Sequence, residues 1–383
     1  MDDLVTPQGA FSLTRYPPDP RERLRAWDAA DEYLLRHLAE EADLSGTVVI
    51  SGDRWGALTT ALAAHGPVQI TDSSLGRQAT ARNLKALGTG SATLLTTQDP
   101  PPERVDVLLV RVPKSLALLE DQLRRLAPAV HAGTTVVGTG MVKEIHTSTL
   151  RLFEEIIGPT RTSPAVKKAR LIFSEPDPSL PRLPSPWPLT YTLPPDAGPM
   201  AGRPVVNHAG VFSADHLDIG TRFLLQNLPT GDHERIIDLG CGNGVVGTAA
   251  ALAHPGAEVL FTDESFQAVA SAEATFAANT TGDATGGTTG RAAFQAGDAL
   301  AGVPPRSADL ILNNPPFHTH QAIGDATAWR MFTGARDALV KGGELWVVGN
   351  RHLGYHVKLR RVFGNCRTMA SNPKFVILRA LRR

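Results

Sequence analysis

The chain has 383 residues, 42% hydrophobic and 20% charged, and its 38 basic and 38 acidic side chains sum to zero formal charge. That length predicts two or three domains with cores that need no disulfides, and the composition excludes wholesale disorder, a collagen-like repeat and a disulfide scaffold. Cys241 and Cys366 alone fit a reducing cytoplasm, no apolar run predicts a membrane span, and the N-terminal MDDLVTPQGAFSL lacks the apolar stretch of a signal peptide.

In chain order, Gly46–Ile50 reads as a strand and Ser51–Gly56 (SGDRWG) as a glycine turn. Val68–Thr71 is a second strand, closed by Asp72, and Val105–Val110 a third, followed by Arg111-Val112-Pro113-Lys114. Ten of the 29 prolines then crowd between Pro176 and Pro204. Proline fixes φ and lacks an N–H, so this stretch reads as a linker with one edge strand around Leu189–Leu193. Beyond it strands and helices alternate: strand Arg235–Asp238, a glycine turn, helix Val245–Ala253, strand Glu258–Thr262 closed by Asp263, helix Ser265–Asn279, and strands Ala292–Gln295, Ala308–Asn313 and Leu345–Gly349. Such alternation predicts a parallel α/β sheet covered on both faces. Thr280–Arg291 is low in complexity and reads as a surface loop.

The halves repeat one plan. Asp106 precedes Arg111 by five residues as Asp309 precedes Asn314. Taking Asp72 as the counterpart of Asp263, the two spacings differ by the length of the Gly/Thr loop. The expected fold class is therefore α/β, with two tandem Rossmann-like domains: a degenerate one over 1–175, a linker over 176–204, and a second domain over 205–383.

The second half carries the chemistry. Asp238-Leu239-Gly240-Cys241-Gly242-Asn243-Gly244 is a strand feeding a turn whose glycines let a ligand approach the backbone. It resembles motif I of the class I S-adenosylmethionine-dependent methyltransferases, which implies cofactor binding by Asp238, Gly240 and Gly242. Asp263, ending the next strand, is placed to accept both hydroxyl hydrogens of a ribose. Gly297-Asp298-Ala299 follows a further strand, and the resemblance gives Asp298 a contact with the adenine amino group. Cys241 reads as a filler rather than a nucleophile, and no metal site is expected.

Asn313-Asn314-Pro315-Pro316-Phe317-His318 follows an apolar strand directly. Consecutive prolines stiffen the backbone and leave carbonyls without local N–H partners. The Asn314 side-chain oxygen and the Pro315 carbonyl can then accept from one NH₂ group, while Phe317 offers a face to a flat ring. This resembles the (N/D/S)PP(Y/F/W) motif of methyltransferases acting on planar exocyclic nitrogens, and Asn314, Pro315, Pro316 and Phe317 form the expected catalytic set. Alone, the motif leaves adenine N6, guanine N2 and the glutamine amide open.

Wider segments narrow this. Asn207–Ser213 (NHAGVFS), Leu217–Phe223 (LDIGTRF), Asn350-Arg351-His352-Leu353 and Phe363–Cys366 are similar to bacterial rRNA guanine-N2 methyltransferases. So, in the first half, are Ala26–Leu35, Val112–Leu123, Ile145–Phe153 and Lys167–Arg170. Nearly the whole chain resembles the large-subunit (23S) rRNA guanine-N2 methyltransferase G family. That resemblance implies S-adenosyl-L-methionine as cofactor, a guanine of protein-free 23S rRNA as substrate, and catalysis by the second domain only. Phe317, His318, Arg351 and His352 are the expected substrate contacts, and the protein is expected to be a cytoplasmic monomer.

Local residues agree. Neither Arg111 nor Lys114 can accept a hydrogen bond, and the turn Ser51–Gly56 carries bulky Arg54 and Trp55 without a leading acid. The first half should therefore neither bind cofactor nor transfer methyl. Lys114, Arg124, Arg125, Lys143, Lys167, Lys168 and Arg170 are candidates for phosphate contacts. Residues 351–383 hold nine Lys or Arg and no acid, a tail suited to a polyanion. Open alternatives are another nitrogen acceptor (16S rRNA guanine, DNA adenine, protein glutamine) and a non-enzymatic rRNA-binding assembly factor.

Overall fold

The computed structural model describes residues 3–19, 23–280, 291–316 and 321–383, the side chains of 321–325 excepted. The chain divides into two units, Met1–Trp187 and Pro188–Arg383.

Unit 1 contains strands β1 (Val48–Ser51), β2 (Val68–Thr71), β3 (Thr93–Thr96), β4 (Val105–Arg111), β5 (Val130–Met141), β6 (Thr160–Thr162) and β7 (Ala169–Ser174). Their order in the sheet is β3-β2-β1-β4-β5-β7-β6. Helix α1 (Ala29–Glu41) precedes them, capped by Asp28, whose side chain accepts from the Ala30 N–H.

Unit 2 repeats the arrangement with β8 (Arg235–Leu239), β9 (Glu258–Asp263), β10 (Arg291–Ala296), β11 (Ala308–Asn313), β12 (Leu339–Asn350), β13 (Arg367–Ser371) and β14 (Phe375–Leu381), ordered β10-β9-β8-β11-β12-β14-β13. The duplication read from sequence thus extends to the strand order. Successive residues of β8 and β11 alternate between two cores: Ile237 and Ile311 pack with Phe332 and Leu359, and Ile236, Leu310 and Leu312 with Val246 and Phe276. That alternation is the period-2 signature of a sheet buried on both faces. The covering helices are α2 (Ile219–Leu225), α3 (Val245–Ala253), α4 (Phe266–Thr280), α5 (Gln321–Ala338) and α6 (Tyr355–Phe363).

Two expectations change. The Pro-rich segment is not a separate linker. Up to Trp187 it is tied into unit 1, with Arg182 donating to the Ile156 carbonyl (2.9 Å) and Ser185 to Asp121 (2.7 Å). From Leu189 it is a hairpin of unit 2, in which Leu189–Thr192 pairs antiparallel with Pro204–Asn207. Nor is the basic C-terminal stretch a tail: it forms α6 and the antiparallel β14 and β13. The Gly/Thr-rich run over 281–290 lies outside the described residues.

In unit 2 the chain runs outward from β8 to β9 and β10, then returns to β11 on the other side of β8. Leu239 pairs with Thr262 on one side and Asn313 on the other, so the loops after β8, β9 and β11 emerge together. A crevice at such a switch point is where open α/β sheets bind ligands.

Candidate active site

The turn after β8 is held against β9: the Gly240 and Cys241 N–H groups both donate to the Thr262 carbonyl (2.8 and 2.9 Å). Two of its glycines, both left-handed, do different work. At Gly244 (φ +77°) a Cβ would lie 2.6 Å from the Ala272 Cα, so its smallness lets α3 and α4 approach. At Gly242 (φ +52°) a Cβ would meet nothing within 4 Å. That open side fits a ligand lying over the turn.

The three acids take different positions. Asp263 stands at the rim of the turn: it accepts from the Gly242 N–H (3.0 Å) and the Ser265 N–H (3.1 Å). Burial holds its carboxyl above the usual range. The Glu264 N–H also hydrogen-bonds this carboxylate, which can only accept. Asp298 is ion-paired with Arg330 (3.2 Å) and lines a cleft with Ala299, Leu300 and Gly334. Asp238, expected to hold the cofactor, lies instead beneath the turn. It is 2% exposed, and its Oδ2 accepts from the Gly247 N–H (2.7 Å). Burial pushes it up to about 8. Its carboxyl fastens the first turn of α3, a supporting role. Burial also raises the Cys241 thiol well above its ordinary value, which makes it a poor nucleophile.

Across the crevice, Asn313 and Asn314 end β11. Asn313 is fully buried and donates to the Leu239 carbonyl (2.6 Å), fastening β11 to the glycine turn. Asn314 Nδ2 donates to Thr221 Oγ1 (2.9 Å), while its buried Oδ1 finds no hydrogen-bond partner among the described residues. An unsatisfied buried acceptor is costly in a fold and common in a binding site. Pro315 is buried and Pro316 exposed. Arg351 and His352 are exposed on a short turn just past β12, at the same end of the sheet because Asn313 pairs with Val347. Phe317 and His318 lie outside the described residues.

Sequence reasoning assigned no role to Thr221, Asp218, Asn207 or Asn243. Asn243 donates to Asn207 (2.9 Å), which binds the segment before α2 to the glycine turn. The Asp-x-x-Thr spacing of a helix cap was the available signal for the first pair. Among the described residues no group of three or more His, Cys, Asp or Glu could hold a metal ion, and no helix is long and apolar enough to cross a membrane.

Unit 1 offers an internal comparison. Strand register pairs Val48 with Val107 in one sheet and Ile236 with Leu310 in the other, and this aligns the two units residue by residue. Gly52 and Gly56 then match Gly240 and Gly244, Arg54 matches the open Gly242, and Arg111 matches Asn314. Arg111 is 1% exposed and pairs with Asp28 (2.7 Å), Asp31 (3.3 Å) and Glu144 (3.1 Å). Arg54 joins the same acids, Asp28 (3.4 Å) and Glu144 (2.9 Å). Burial pushes Asp31 up to about 6 against the pull of Arg111. Glu144, despite its burial, is drawn down to about 2 by Arg54 and Arg111. The counterpart of the unit 2 crevice is thus filled by its own ion pairs. The register also corrects one equivalence: Thr71, not Asp72, matches Asp263. Asp72 stands one residue further on and accepts from Thr97 (3.1 Å).

Of the expected phosphate contacts, Arg124 is paired with Glu120, Lys167 with Glu32, and Arg125 donates to the Thr97 and Asp99 carbonyls. Lys114, Lys143 and Lys168 are exposed.

A sheet of this order, with a glycine turn after the central strand, an acid after the next and an Asn-Pro-Pro turn across the switch point, defines a class I S-adenosylmethionine-dependent methyltransferase. Residues 1–178 match the RLMG N-terminal domain and residues 202–379 the methyltransferase small domain. The ribosomal RNA large subunit methyltransferase G of Streptomyces coelicolor is 70% identical over 99% of this chain and 100% of its own length. Its namesake from Aeromonas salmonicida is 46% identical over 99% of both chains. A 16S rRNA N2 methyltransferase of T. Thermophilus, solved in complex with AdoMet and guanosine, superposes over 100% of this chain and 97% of its own with a TM-score of 0.74 at 22% identity, a likeness of fold. The chain belongs to the ribosomal RNA large subunit methyltransferase G family.

Proposed function

We propose that this chain transfers a methyl group from S-adenosyl-L-methionine to the exocyclic N2 of one guanine in protein-free 23S rRNA, acting in the cytoplasm as a monomer. The observation that carries the reading is the buried Oδ1 of Asn314, which has no hydrogen-bond partner among the described residues and is held across the crevice from the open face of the glycine turn. The names of the relatives support rRNA as the acceptor.

In this reading Gly240, Gly242 and Asp263 hold the cofactor, Asp298 meets its adenine, and Asp238 keeps the turn in place. Bound S-adenosylmethionine supplies a methyl group on a sulfonium, an electrophile that needs only a lone pair directed at it. An aryl-amine lone pair is delocalised into its ring. Asn314 Oδ1 and the Pro315 carbonyl each accept one N–H of the guanine amine, which turns the lone pair out of the ring plane. The amine proton released on methylation passes to solvent. Base pairing hides this nitrogen, so the guanine is splayed out, stacked on Phe317, with His318, Arg351 and His352 beside it. Unit 1 serves RNA binding.

The test is transfer of labelled methyl to rRNA purified from cells lacking the protein, comparing free 23S, assembled large subunits and 16S, followed by nucleoside digestion. N2-methylguanosine on free 23S alone is expected. Label on another nucleoside or on protein moves the acceptor, and absence of label on every substrate despite cofactor binding refutes the enzymatic reading.

A further inference from the structure

The orientation of the Asn314 amide is decided by Thr221 of α2 and the residue that caps that helix, Asp218, which lie 93 and 96 positions earlier in the chain. Asp218 caps this helix, accepting from the Thr221 N–H (2.8 Å). The Thr221 hydroxyl also reaches Asp218 Oδ2 (3.3 Å) and stands 2.9 Å from Asn314 Nδ2. A carboxylate only accepts, so the single hydroxyl proton is given to Asp218. The hydroxyl oxygen is then left as an acceptor, and only the NH₂ end of an amide satisfies it. The Asn314 Oδ1 is thereby turned the other way, where it has no partner among the described residues. Among the described residues, no other hydrogen bond of the Asn314 side chain enforces this choice.

Unit 1 supplies an independent observation. Its α1 is capped by Asp28, and the residue three positions on is Asp31, as Thr221 is three positions after Asp218. Asp31 contacts Arg111, the counterpart of Asn314. The same pair of positions touches in both units. Where the second member is an acceptor amide the first is a hydroxyl; where it is a guanidinium the first is a carboxylate. The two positions behave as one unit whose chemistry is matched.

We propose that Thr221, with its proton directed by Asp218, is a positioning residue for methyl transfer: it fixes the Asn314 amide with its oxygen toward the acceptor amine. This rests on the reading of Asn314 as the acceptor of that amine. Thr221→Val keeps the shape and removes the hydroxyl, so the amide is free to flip; Thr221→Ser keeps the hydroxyl. Under saturating cofactor and rRNA, Thr221→Val is expected to lower kcat about 100-fold. Its Kd for S-adenosylmethionine should stay at the wild-type value, its Tm should fall by only a few degrees for the hydrogen bonds lost, and Thr221→Ser should restore turnover. Added to Asn314→Ala, Thr221→Val should cost nothing further, because there is no amide left to orient. Should Thr221→Val fail to fold, Thr221→Ala removes the hydroxyl with less crowding and is read in the same way.

If Asn314→Ala loses turnover but Thr221→Val keeps it, or if serine fails to rescue, the positioning role is overturned and the Asn314 reading stands. If Asn314→Ala itself keeps turnover, the reading of the site falls, and the positioning role with it.

Discussion

Two glycines of the turn after β8, separated by one residue, should fail in opposite ways when given a methyl group. Gly242 and Gly244 are both left-handed, so alanine at either costs about 1–2 kcal/mol of backbone strain. At Gly244 the new Cβ also meets the Ala272 Cα at 2.6 Å and its Cβ at 2.8 Å, backbone that cannot swing aside. Overpacking of that kind adds about 1–3 kcal/mol. Gly244→Ala should therefore destabilise unit 2 by about 2–5 kcal/mol, at about 2–4 °C per kcal/mol for a domain of this size. Gly242→Ala meets nothing and should cost only the strain. Its methyl instead takes space from a ligand on the turn, and a clash of about 1–3 kcal/mol weakens cofactor binding by roughly 5- to 150-fold. Calorimetric titration with S-adenosylmethionine and a melting curve of each variant separate the two. Full affinity in Gly242→Ala, with a cold shift no larger than strain predicts, would place the cofactor elsewhere.

Asn314→Ala should lower kcat about 10²- to 10³-fold while leaving cofactor affinity intact, read by single-turnover methylation beside titration. In unit 1, Arg111→Leu leaves Asp31 buried with its main counter-charge gone and should cost about 3–5 kcal/mol, seen as an earlier melting transition with unit 2 cofactor binding unchanged. Asp238 releases its proton near 3.8 when unfolded but near 8 when folded. The folded state then holds a proton the unfolded chain has lost, so ligand-free stability should fall as pH climbs from about 4 to about 8. Asp238→Asn should remove a slope of up to about 1.4 kcal/mol per pH unit, measured by denaturant unfolding across that range.

The strands and helices of the second half were legible because their signals are local: apolar runs of strand length, glycines at the turn, alanine-rich helices. Val245–Ala253 and Ala308–Asn313 have the bounds read from sequence. The antiparallel β14 and β13 were not read, because their charges suggested a basic tail suited to a polyanion when Phe375, Ile377, Leu378 and Ala380 in fact complete the core. Asp238 was assigned by its place in a motif, and only the packing of α3 shows which way its carboxyl faces. Thr221 was missed for a different reason: a cap spacing marks it, but its importance is a distance to a residue 93 positions away. The Asp72 equivalence failed by one residue, which on a strand is a change of face.

The ion pairs filling unit 1 have a consequence for how such a domain can change. Arg111 reaches all three acids and Arg54 only two of them, so Arg111→Asn strands Asp31, which Arg54 does not touch. Removing one acid leaves each arginine with a carboxylate. A step back toward a cofactor pocket that starts at Arg111 passes through an uncompensated buried charge, costing about 3–5 kcal/mol, a large share of what a typical domain can spare. The cluster works as a ratchet: Arg111 can be given up only after its acids.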